Sequence, residues 1–236
     1  MITPSAFLSD HYRRLIGLQS EAMPTPLWPD DVIATAPRRN ALTMVNPSPE
    51  KGMMFFARLV GQLAERRPDI PIEVYCSRGG ASLLVQAAFL GGIDLAGHPA
   101  LVFRDMEATP AAVFSRARVL IVPSVVEDAA PRVIAEALVN GVPPLGSDRG
   151  GIPEMCADAG WVLPIPRTVE HTRLHLPPAS AVQVWVEMIV QLFDDEHLWH
   201  GDCERARRAG ARYLPSAALP LYVEYFERLI ARKRVP

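Results

Sequence analysis

The stretch that decides the fold is VLIVPSVVEDAAPRVIAEALVNGVPPLGSDRGGIPEMCADAGWVLP, residues 119–164. An apolar run, Val119–Val122, leads into a proline-marked loop, and a short helical pattern then stops at Gly141. A second apolar run ends in a loop that contains Gly150-Gly151. The order strand, loop, helix, strand, loop, helix predicts one and a half repeats of a parallel α/β sheet. Such sheets bind ligands in the loops at the carboxyl ends of their strands, so the same stretch predicts a ligand site.

The rest of the chain continues this alternation of strands and helices. We expect the strands of one sheet at Ala41–Val45, Ile72–Cys76, Ala100–Phe103, Val119–Val122, Val142–Leu145 and Trp161–Leu163. Apolar residues at helical spacing separate them, as in the stretch from Met53 to Arg67. Strands that alternate with helices imply parallel pairing. The predicted fold class is therefore α/β, a doubly wound, Rossmann-like parallel sheet of about six strands with C-terminal helices.

Three segments make up the chain in this interpretation. Residues 1–40 form a lead-in, with a helix that Ser5 caps, a short strand at Gln19–Met23 and a proline-marked linker. Residues 41–178 hold the sheet, and residues 179–236 carry three helices with apolar residues at helical spacing. These helices are Ala179–Asp194, His197–Arg212 and Ala217–Arg232.

Composition restricts the classes of protein and partner. The chain has 236 residues, a formal net charge of −2 and an isoelectric point near 6.3, so nothing favours bulk electrostatic binding to nucleic acid. Cys76, Cys156 and Cys203 are far apart and odd in number, which favours reduced, buried thiols in a cytoplasmic protein. Neither a signal peptide nor an apolar run of membrane-helix length is expected. His171 and His175 lie one helical turn apart without an evident third ligand, so no metal is expected.

Several linked motif elements resemble the donor-binding half of the family 4 retaining glycosyltransferases. That family places Pro-Ser after a strand, then an acid, a Glu-Ala pair on a helix, and a Gly-Gly-x-Pro-Glu loop. Here those places hold Pro123-Ser124, Asp128, Glu136-Ala137 and Gly150–Glu154, in order. The resemblance implies the C-terminal half of a GT-B fold, which binds a nucleotide-diphosphate (NDP) sugar without a metal or other cofactor. It also implies that residues 1–40 lead in from a missing N-terminal, acceptor-binding domain, toward which the last helix packs.

Lys51-Gly52 opens a predicted helix after the strand Ala41–Val45. An ammonium beside a helix N-terminus, with its free N–H groups and positive dipole end, suits a diphosphate. The resembled family holds the donor diphosphate with this lysine and with an arginine shortly before it, where this chain has Asn46. We therefore assign Asn46, Lys51 and Gly52 to donor binding. The alternative is that Lys51 is a solvated lysine at a helix start.

The acids that precede and follow the next helix start are the candidate catalytic residues. The resemblance gives Glu127 and Asp128 the task of orienting the donor sugar, whereas the alternative is that they complement the helix dipole. Glu136 lies at the edge of the apolar stripe of its helix, so its carboxylate needs a partner. The resemblance makes that partner the ribose of the donor, and the alternative is a salt bridge to Arg132. Free N–H groups at the helix start are further donor-binding candidates, from Ala129, Ala130 and Arg132.

Two more loops complete the predicted donor site. Gly150 and Gly151 permit close approach of the backbone to a ligand, and the resemblance places them beside the donor sugar and phosphate. The alternative is a tight turn. Arg104 follows the strand that ends at Phe103, in the segment 104–106 where the family binds the base mostly through backbone contacts.

The predicted function is the donor half of a retaining hexosyltransferase of glycan biosynthesis, which moves a hexose from an NDP-sugar to an acceptor hydroxyl. The alternative is a non-catalytic nucleotide-binding or scaffold half-protein. Both interpretations need the missing domain or a partner chain, and any peripheral membrane association is expected only through that missing half. Apolar residues of the last helix would then form an exposed patch, at Leu221, Tyr222, Tyr225 and Phe226.

Overall fold

The structure is a computed structural model, and it describes residues 1–76, 80–105, 109–171 and 173–233. Its strands are β1 (Ile2–Thr3), β2 (Glu21–Ala22), β3 (Ala41–Val45), β4 (Ile72–Cys76), β5 (Leu101–Asp105), β6 (Ala117–Val122), β7 (Pro144–Ser147) and β8 (Trp161–Leu163). Its α-helices are α1 (Ala6–Ile16), α2 (Pro29–Val32), α3 (Met53–Arg66), α4 (Gly80–Leu90), α5 (Pro110–Phe114), α6 (Arg132–Val139), α7 (Ile152–Cys156), α8 (Thr168–His171), α9 (Gln183–Asp194), α10 (Glu196–Gly210) and α11 (Pro215–Lys233).

One parallel sheet holds the strands from β3 to β8, in the order β5-β4-β3-β6-β7-β8. The chain builds outward from β3 to β5, then returns to pair β6 with β3, and continues to β8 in the opposite direction. The loops after β3 and β6 therefore leave the centre of the sheet in opposite senses. This switch point is where open α/β sheets bind ligands. The predicted doubly wound, Rossmann-like sheet is confirmed.

Alternate side chains of the central strand face two layers of helices. Val119 and Ile121 pack on one face, in a core that includes residues of α3 and α9. Leu120 and Val122 pack on the other face, against a core that includes Ile134 of α6. Every residue of β6 is buried. Because a central parallel strand is covered on both faces, its stretch Val119–Val122 appears in the sequence as an apolar run.

Some short elements differ from the predictions. The proline-marked linker contains α2, which Pro29 opens and in which Asp30 and Asp31 complement the helix dipole. The strand predicted at Gln19–Met23 is too long, because only Glu21–Ala22 pairs, with β1. A sequence pattern does not reveal such elements, because they are too short to complete a helical or strand period.

The lead-in joins the sheet domain at the start of α1. Ser5 caps this helix as predicted, because its Oγ accepts a hydrogen bond from the N–H of Leu8 at 3.2 Å. Glu154 of α7 accepts hydrogen bonds from the N–H groups of Ala6 and Phe7, both at 2.9 Å. The acid of the Gly-Gly-x-Pro-Glu motif therefore satisfies N–H groups that a helix start leaves unpaired.

The last helix, α11, lies against the lead-in. Arg228 forms an ion pair with Glu21 at 2.7 Å, and the hydroxyl of Tyr222 donates to the carbonyl of Pro24 at 3.3 Å. Within the predicted patch, Leu221 and Phe226 are exposed, whereas Tyr222 and Tyr225 are half-buried. The packing of α11 toward a further domain stays a prediction.

The cysteines are unpaired, as predicted. Cys156 and Cys203 are buried, and Cys76 is half-buried. Burial raises the pKa of the Cys156 thiol to about 12, so this group stays protonated at neutral pH. In the part of the chain that the structure describes, no helix has both the length and the hydrophobicity needed to cross a bilayer.

Candidate functional site

A cavity of about 190 Å³ lies at the switch point, between the loops that follow β3 and β6. Its walls come from the ends of β3 and β6, these two loops and the first residues of α6. Its lining includes the polar side chains of Asn46, Lys51, Ser124 and Arg132. The fold thus brings three predicted donor-binding residues, distant in sequence, to one place.

A second cavity, of about 280 Å³, adjoins the first, because Val45, Asn46, Arg132 and Val133 line both. Its outer wall comes from α5, and Glu136 of α6 also lines it. The residues that α5 contributes are Pro110, Val113 and Phe114. We call the two cavities together the switch-point groove. It is polar near Lys51 and more apolar near α5, so it suits an elongated ligand with a charged part and an apolar part.

The N-terminal turn of α6 faces this groove. The N–H groups of Arg132 and Val133 have no backbone acceptor among the described residues, and the first turn carries no acid. Ser124 is 1% exposed, and its Oγ has no hydrogen-bond partner within the described ranges. Free N–H groups, a positive dipole end and a buried, unpaired hydroxyl together favour a polar, anionic ligand.

Lys51 reaches the groove from the loop after β3. The N–H of Lys51 donates to Ser48 Oγ at 3.3 Å, which shapes the turn. Gly52 adopts a φ of 78°, and a Cβ at this position would lie 1.9 Å from the carbonyl oxygen of Pro123. Glycine is therefore needed for the loops after β3 and β6 to touch. The ammonium of Lys51 pairs with Asp128, and both side chains are partly exposed. This ion pair therefore adds little to folding stability, and Lys51 can exchange Asp128 for another anion.

Glu136 lies on the second turn of α6, with its side chain 13% exposed. Its Oε1 is 2.8 Å from Nε of Arg132. Burial raises the pKa of the Glu136 carboxyl above its ordinary value, and the Arg132 guanidinium opposes that shift. The ion pair that the sequence left open as the alternative is therefore present. A contact between Glu136 and a ribose stays a prediction.

The two predicted acids in the loop before α6 have different surroundings. Asp128 pairs with Lys51 beside the groove. Glu127 is exposed and has no ion-pair partner in the described part of the chain. Ala129 and Ala130 are half-buried in the same loop. Among the ion pairs within the described ranges, Asp128 and not Glu127 pairs with a residue that lines the groove.

The glycine pair packs against this acidic loop. The N–H of Gly151 donates to the carbonyl of Asp128 at 2.7 Å, and a Cβ on Gly151 would lie 2.0 Å from the carbonyl oxygen of Ala129. Gly150 has a φ of 57°, in the left-handed region that favours glycine. The tight-turn alternative accounts for these contacts, and a contact with a donor sugar stays a prediction.

Arg104 lies outside the lining of the groove. Its Nη2 donates to Oε1 of Glu73 at 2.9 Å. Its predicted contact with the donor stays a prediction. Met106, which belongs to the same predicted base-binding segment, lies outside the described residues.

Ser124 and the α5 wall are among the contributors to the groove that the sequence does not assign to a site. Ser124 had a signal, because it belongs to the Pro-Ser motif. The α5 wall had none, because apolar residues such as Val113 and Phe114 suit a core equally well, and both are largely buried.

Metal-ligating side chains do not cluster in the described ranges: no group of three or more His, Cys, Asp and Glu residues is placed to hold an ion. His171 and His175 instead line a separate cavity of about 370 Å³, together with Glu50 and Arg173. The expected absence of a metal stays a prediction.

The sheet and α9 match a known protein family. Residues 39–195, more than half of the chain, match the family described as "Glycosyl transferases group 1". The chain belongs to this family. A search of the curated proteins found no match to the sequence.

Solved glycosyltransferase structures share the fold at low sequence identity. Sucrose-phosphate synthase from Thermosynechococcus elongatus gives a TM-score of 0.70 at 19% identity, and the match covers 98% of this chain and 58% of that one. HepE from Anabaena, in complex with UDP and glucose, gives 0.75 at 15% identity, covering 96% and 62%. The GtfA/B complex gives 0.70 at 16% identity, covering 96% and 44%. The chain therefore has a Rossmann-like half of the GT-B fold, and it spans between 44% and 62% of the length of these structures.

Proposed function

We propose that this chain is the C-terminal, donor-binding domain of a family 4 retaining glycosyltransferase that uses an NDP-sugar. The observation that carries the proposal is the switch-point groove, in which Lys51, Ser124 and the start of α6 meet close to Glu136. An NDP-sugar has matching parts: an anionic diphosphate, a ribose with two hydroxyls and a flat base. The UDP and glucose bound to the Anabaena relative support this class of ligand.

In this proposal, the diphosphate lies at the N-terminal turn of α6. Its negative charge draws Lys51 away from Asp128, and the hydroxyl of Ser124 donates to a phosphate oxygen. The free N–H groups of the turn donate as well. Glu136 accepts hydrogen bonds from the ribose hydroxyls, and the base lies against the apolar wall of α5.

Catalysis would follow from the same contacts. When the bond between the anomeric carbon and the diphosphate oxygen breaks, negative charge grows on the leaving diphosphate, where Lys51 and the helix dipole stabilise it. The acceptor oxygen bonds to the anomeric carbon on the face that the diphosphate leaves, and its proton passes to the leaving diphosphate. Asp128, once released by Lys51, and Glu127 orient the hydroxyls of the sugar. Because the lysine and the dipole carry the charge, the proposal requires no metal.

We place the acceptor on a second domain or a partner chain, and the complete enzyme in the cytoplasm. The relatives that share this fold are considerably longer than this chain, which supports a bipartite enzyme. The GtfA/B complex is a precedent for assembly among such folds. Leu221 and Phe226, exposed on α11, offer an apolar surface for that second half.

A second candidate function is a non-catalytic nucleotide-binding or scaffold half. The observation that favours it is that Lys51 and Glu136 already have partners within the chain, Asp128 and Arg132. A ligand must therefore displace Asp128 to reach Lys51, and Arg132 to reach Glu136. Sugar transfer in the presence of the second half would decide against this candidate.

Thermal unfolding with UDP, GDP, ADP and their hexose conjugates tests the donor site. A ligand at about 100 times its Kd adds roughly 2.7 kcal/mol to stability, which is several degrees at this chain length. We expect a shift with one base, lost in Glu136→Ala. Glu187→Ala is the matched control, because Glu187 also lies on a helix and accepts from Gln183 one turn earlier, at 3.0 Å. If none of these nucleotides raises the unfolding temperature, the donor site is contradicted.

A further inference from the structure

Arg132 stands where an α-helix disfavours a cation. It is the first residue of α6, at the positive end of the helix dipole. Its ion pair with Glu136 has the positive residue before the negative one, four residues apart, which is the weaker of the two orders. The helix itself therefore gains little from an arginine here. A negative charge from outside the chain would remove the conflict.

The surroundings of Arg132 link it to both ends of the groove. Its side chain is 65% exposed, and it lines both cavities. Its Nε contacts a carboxylate that is far more buried, that of Glu136. The guanidinium can turn toward an anion at low cost, because it is already largely hydrated. Glu136 cannot lose this partner without a replacement, because an unpaired buried carboxylate is costly.

We propose that Arg132 interlocks the two ends of the groove: ribose hydroxyls take its place on Glu136, and the freed guanidinium binds the phosphates of the same ligand. This inference rests on the proposed function and adds a coupling to it. A phosphate without a ribose must compete with Glu136 for Arg132. A nucleoside without phosphates must displace Arg132 from Glu136 and gives it no new partner. A nucleoside diphosphate satisfies both residues at once, so the groove selects ligands that carry both groups.

The interlock predicts changes of opposite sign for the two halves of the ligand. Arg132→Ala weakens binding of the nucleoside diphosphate by about tenfold or more, because a charge-assisted hydrogen bond is lost. The same variant binds the nucleoside about twofold more tightly, because the competing ion pair is gone. Glu136→Gln gives the converse: inorganic pyrophosphate binds about twofold more tightly, and the nucleoside binds more weakly.

Isothermal titration at pH 8 tests the interlock, with UDP, GDP, ADP, the three nucleosides and inorganic pyrophosphate as probes. Arg67→Ala is the matched control, because Arg67 also pairs with a carboxylate, Asp69, at 2.8 Å, but follows α3 at the amino-terminal edge of the sheet. Circular dichroism checks that each variant is folded. If Arg132→Ala fails to fold, Glu136→Gln alone carries the test.

The outcomes separate the interlock from the function on which it rests. Opposite shifts for the nucleoside and the diphosphate in Arg132→Ala, or for pyrophosphate and the nucleoside in Glu136→Gln, support the interlock. If both probes weaken together, or only the phosphate contact changes, Arg132 is an independent phosphate ligand or a structural residue, and the interlock is overturned. If no nucleoside diphosphate binds the wild-type chain, the proposed function fails, and the interlock fails with it.

Discussion

Two carboxylates withdrawn from solvent in this molecule have opposite surroundings. Glu73 on β4 has a side chain only 3% exposed, and three groups donate hydrogen bonds to it. These are the hydroxyl of Tyr75 at 2.8 Å, Nη2 of Arg104 at 2.9 Å and Nε of Arg116 at 2.6 Å. Glu136 on α6 is 13% exposed and has a single charged partner, Arg132. The Glu73 carboxylate is saturated with donors, whereas the Glu136 carboxylate depends on a single, largely exposed partner that a ligand can displace.

The pKa values of the two carboxyl groups follow this difference. Burial alone would raise the pKa of Glu73, but hydrogen bonds from Arg104, Tyr75 and Arg116 outweigh burial and hold the pKa below its ordinary value. Burial raises the pKa of Glu136, and Arg132 corrects the shift only in part. A carboxylate kept ionised by its own fold is a structural group. A carboxylate beside a groove whose burial the fold compensates only in part is a candidate for ligand binding.

The largest effect that would sharpen this comparison is loss of folding stability in Glu73→Ala. The substitution leaves Arg104, Arg116 and the Tyr75 hydroxyl without their shared acceptor, so we expect a loss of about 3 kcal/mol. The value lies at the lower end of the range for buried pairs, because both arginines are about one-third exposed. Urea unfolding measures it. Tyr75→Phe, which removes one donor, should cost about 1 kcal/mol. A loss in Glu73→Ala no larger than that in Tyr75→Phe would contradict a structural role for Glu73.

The next effect concerns binding rather than folding. Lys51 is one of only two lysines in the chain, the other being Lys233, so an amine-reactive reagent labels few sites. We expect Lys51→Met to weaken binding of a nucleoside diphosphate by about tenfold to a hundredfold. The folding stability of the Lys51→Met variant should differ from that of the wild type by less than about 1 kcal/mol, because the ion pair between Lys51 and Asp128 is partly exposed.

Mass spectrometry after acetylation gives the independent check on Lys51. The nucleoside diphosphate should protect Lys51 from the reagent and leave the labelling of Lys233 unchanged. Equal labelling of Lys51 with and without a saturating ligand would place the diphosphate elsewhere.

The sheet could be predicted from the sequence because a parallel strand buried on both faces leaves a continuous apolar run. β6 and its neighbours were found for that reason, with ends that differ by a residue or two. The position of the groove followed as well, because loops at the carboxyl ends of central strands meet at the switch point. The helix starts and the family resemblance assign Asn46, Lys51 and Arg132 to a donor site, and the structure brings all three to one cavity.

The pairing of charges could not be predicted in the same way. That Lys51 contacts Asp128 rather than Glu127 depends on the path of a loop that the glycines of two other loops shape. That Arg132 holds Glu136 depends on the side-chain rotamers, so the sequence predicts this ion pair only as an alternative to a ribose contact. The Glu73 cluster left no periodic signal, since its arginines come from β5 and from the residue before β6.

The smallest effect is a change of stability with pH, and it tests whether the two carboxylates differ in sign. The pKa of Glu136 is raised in the folded chain, so the folded chain binds this proton more tightly than the unfolded chain does. The stability that protonation contributes is fully present below the unfolded pKa, about 4.3. It is lost as pH rises through the folded pKa. The neutral isostere in Glu136→Gln should therefore be more stable than the wild type at pH 7, by about 0.5 to 1 kcal/mol. This advantage should vanish below about pH 4.

Glu73→Gln should behave in the opposite way. The pKa of Glu73 is lowered, so its contribution is present above the unfolded pKa and is lost as pH falls through the folded value. This variant should be less stable than the wild type at pH 7, and the difference should shrink in acid. Urea unfolding of both variants between pH 3 and about 7 measures the two slopes. If the stability difference from the wild type changes with pH in the same direction for both variants, the two carboxylates do not differ. The fold then stabilises the ionised form of Glu136 as it does that of Glu73, and Glu136 is not available to a ligand.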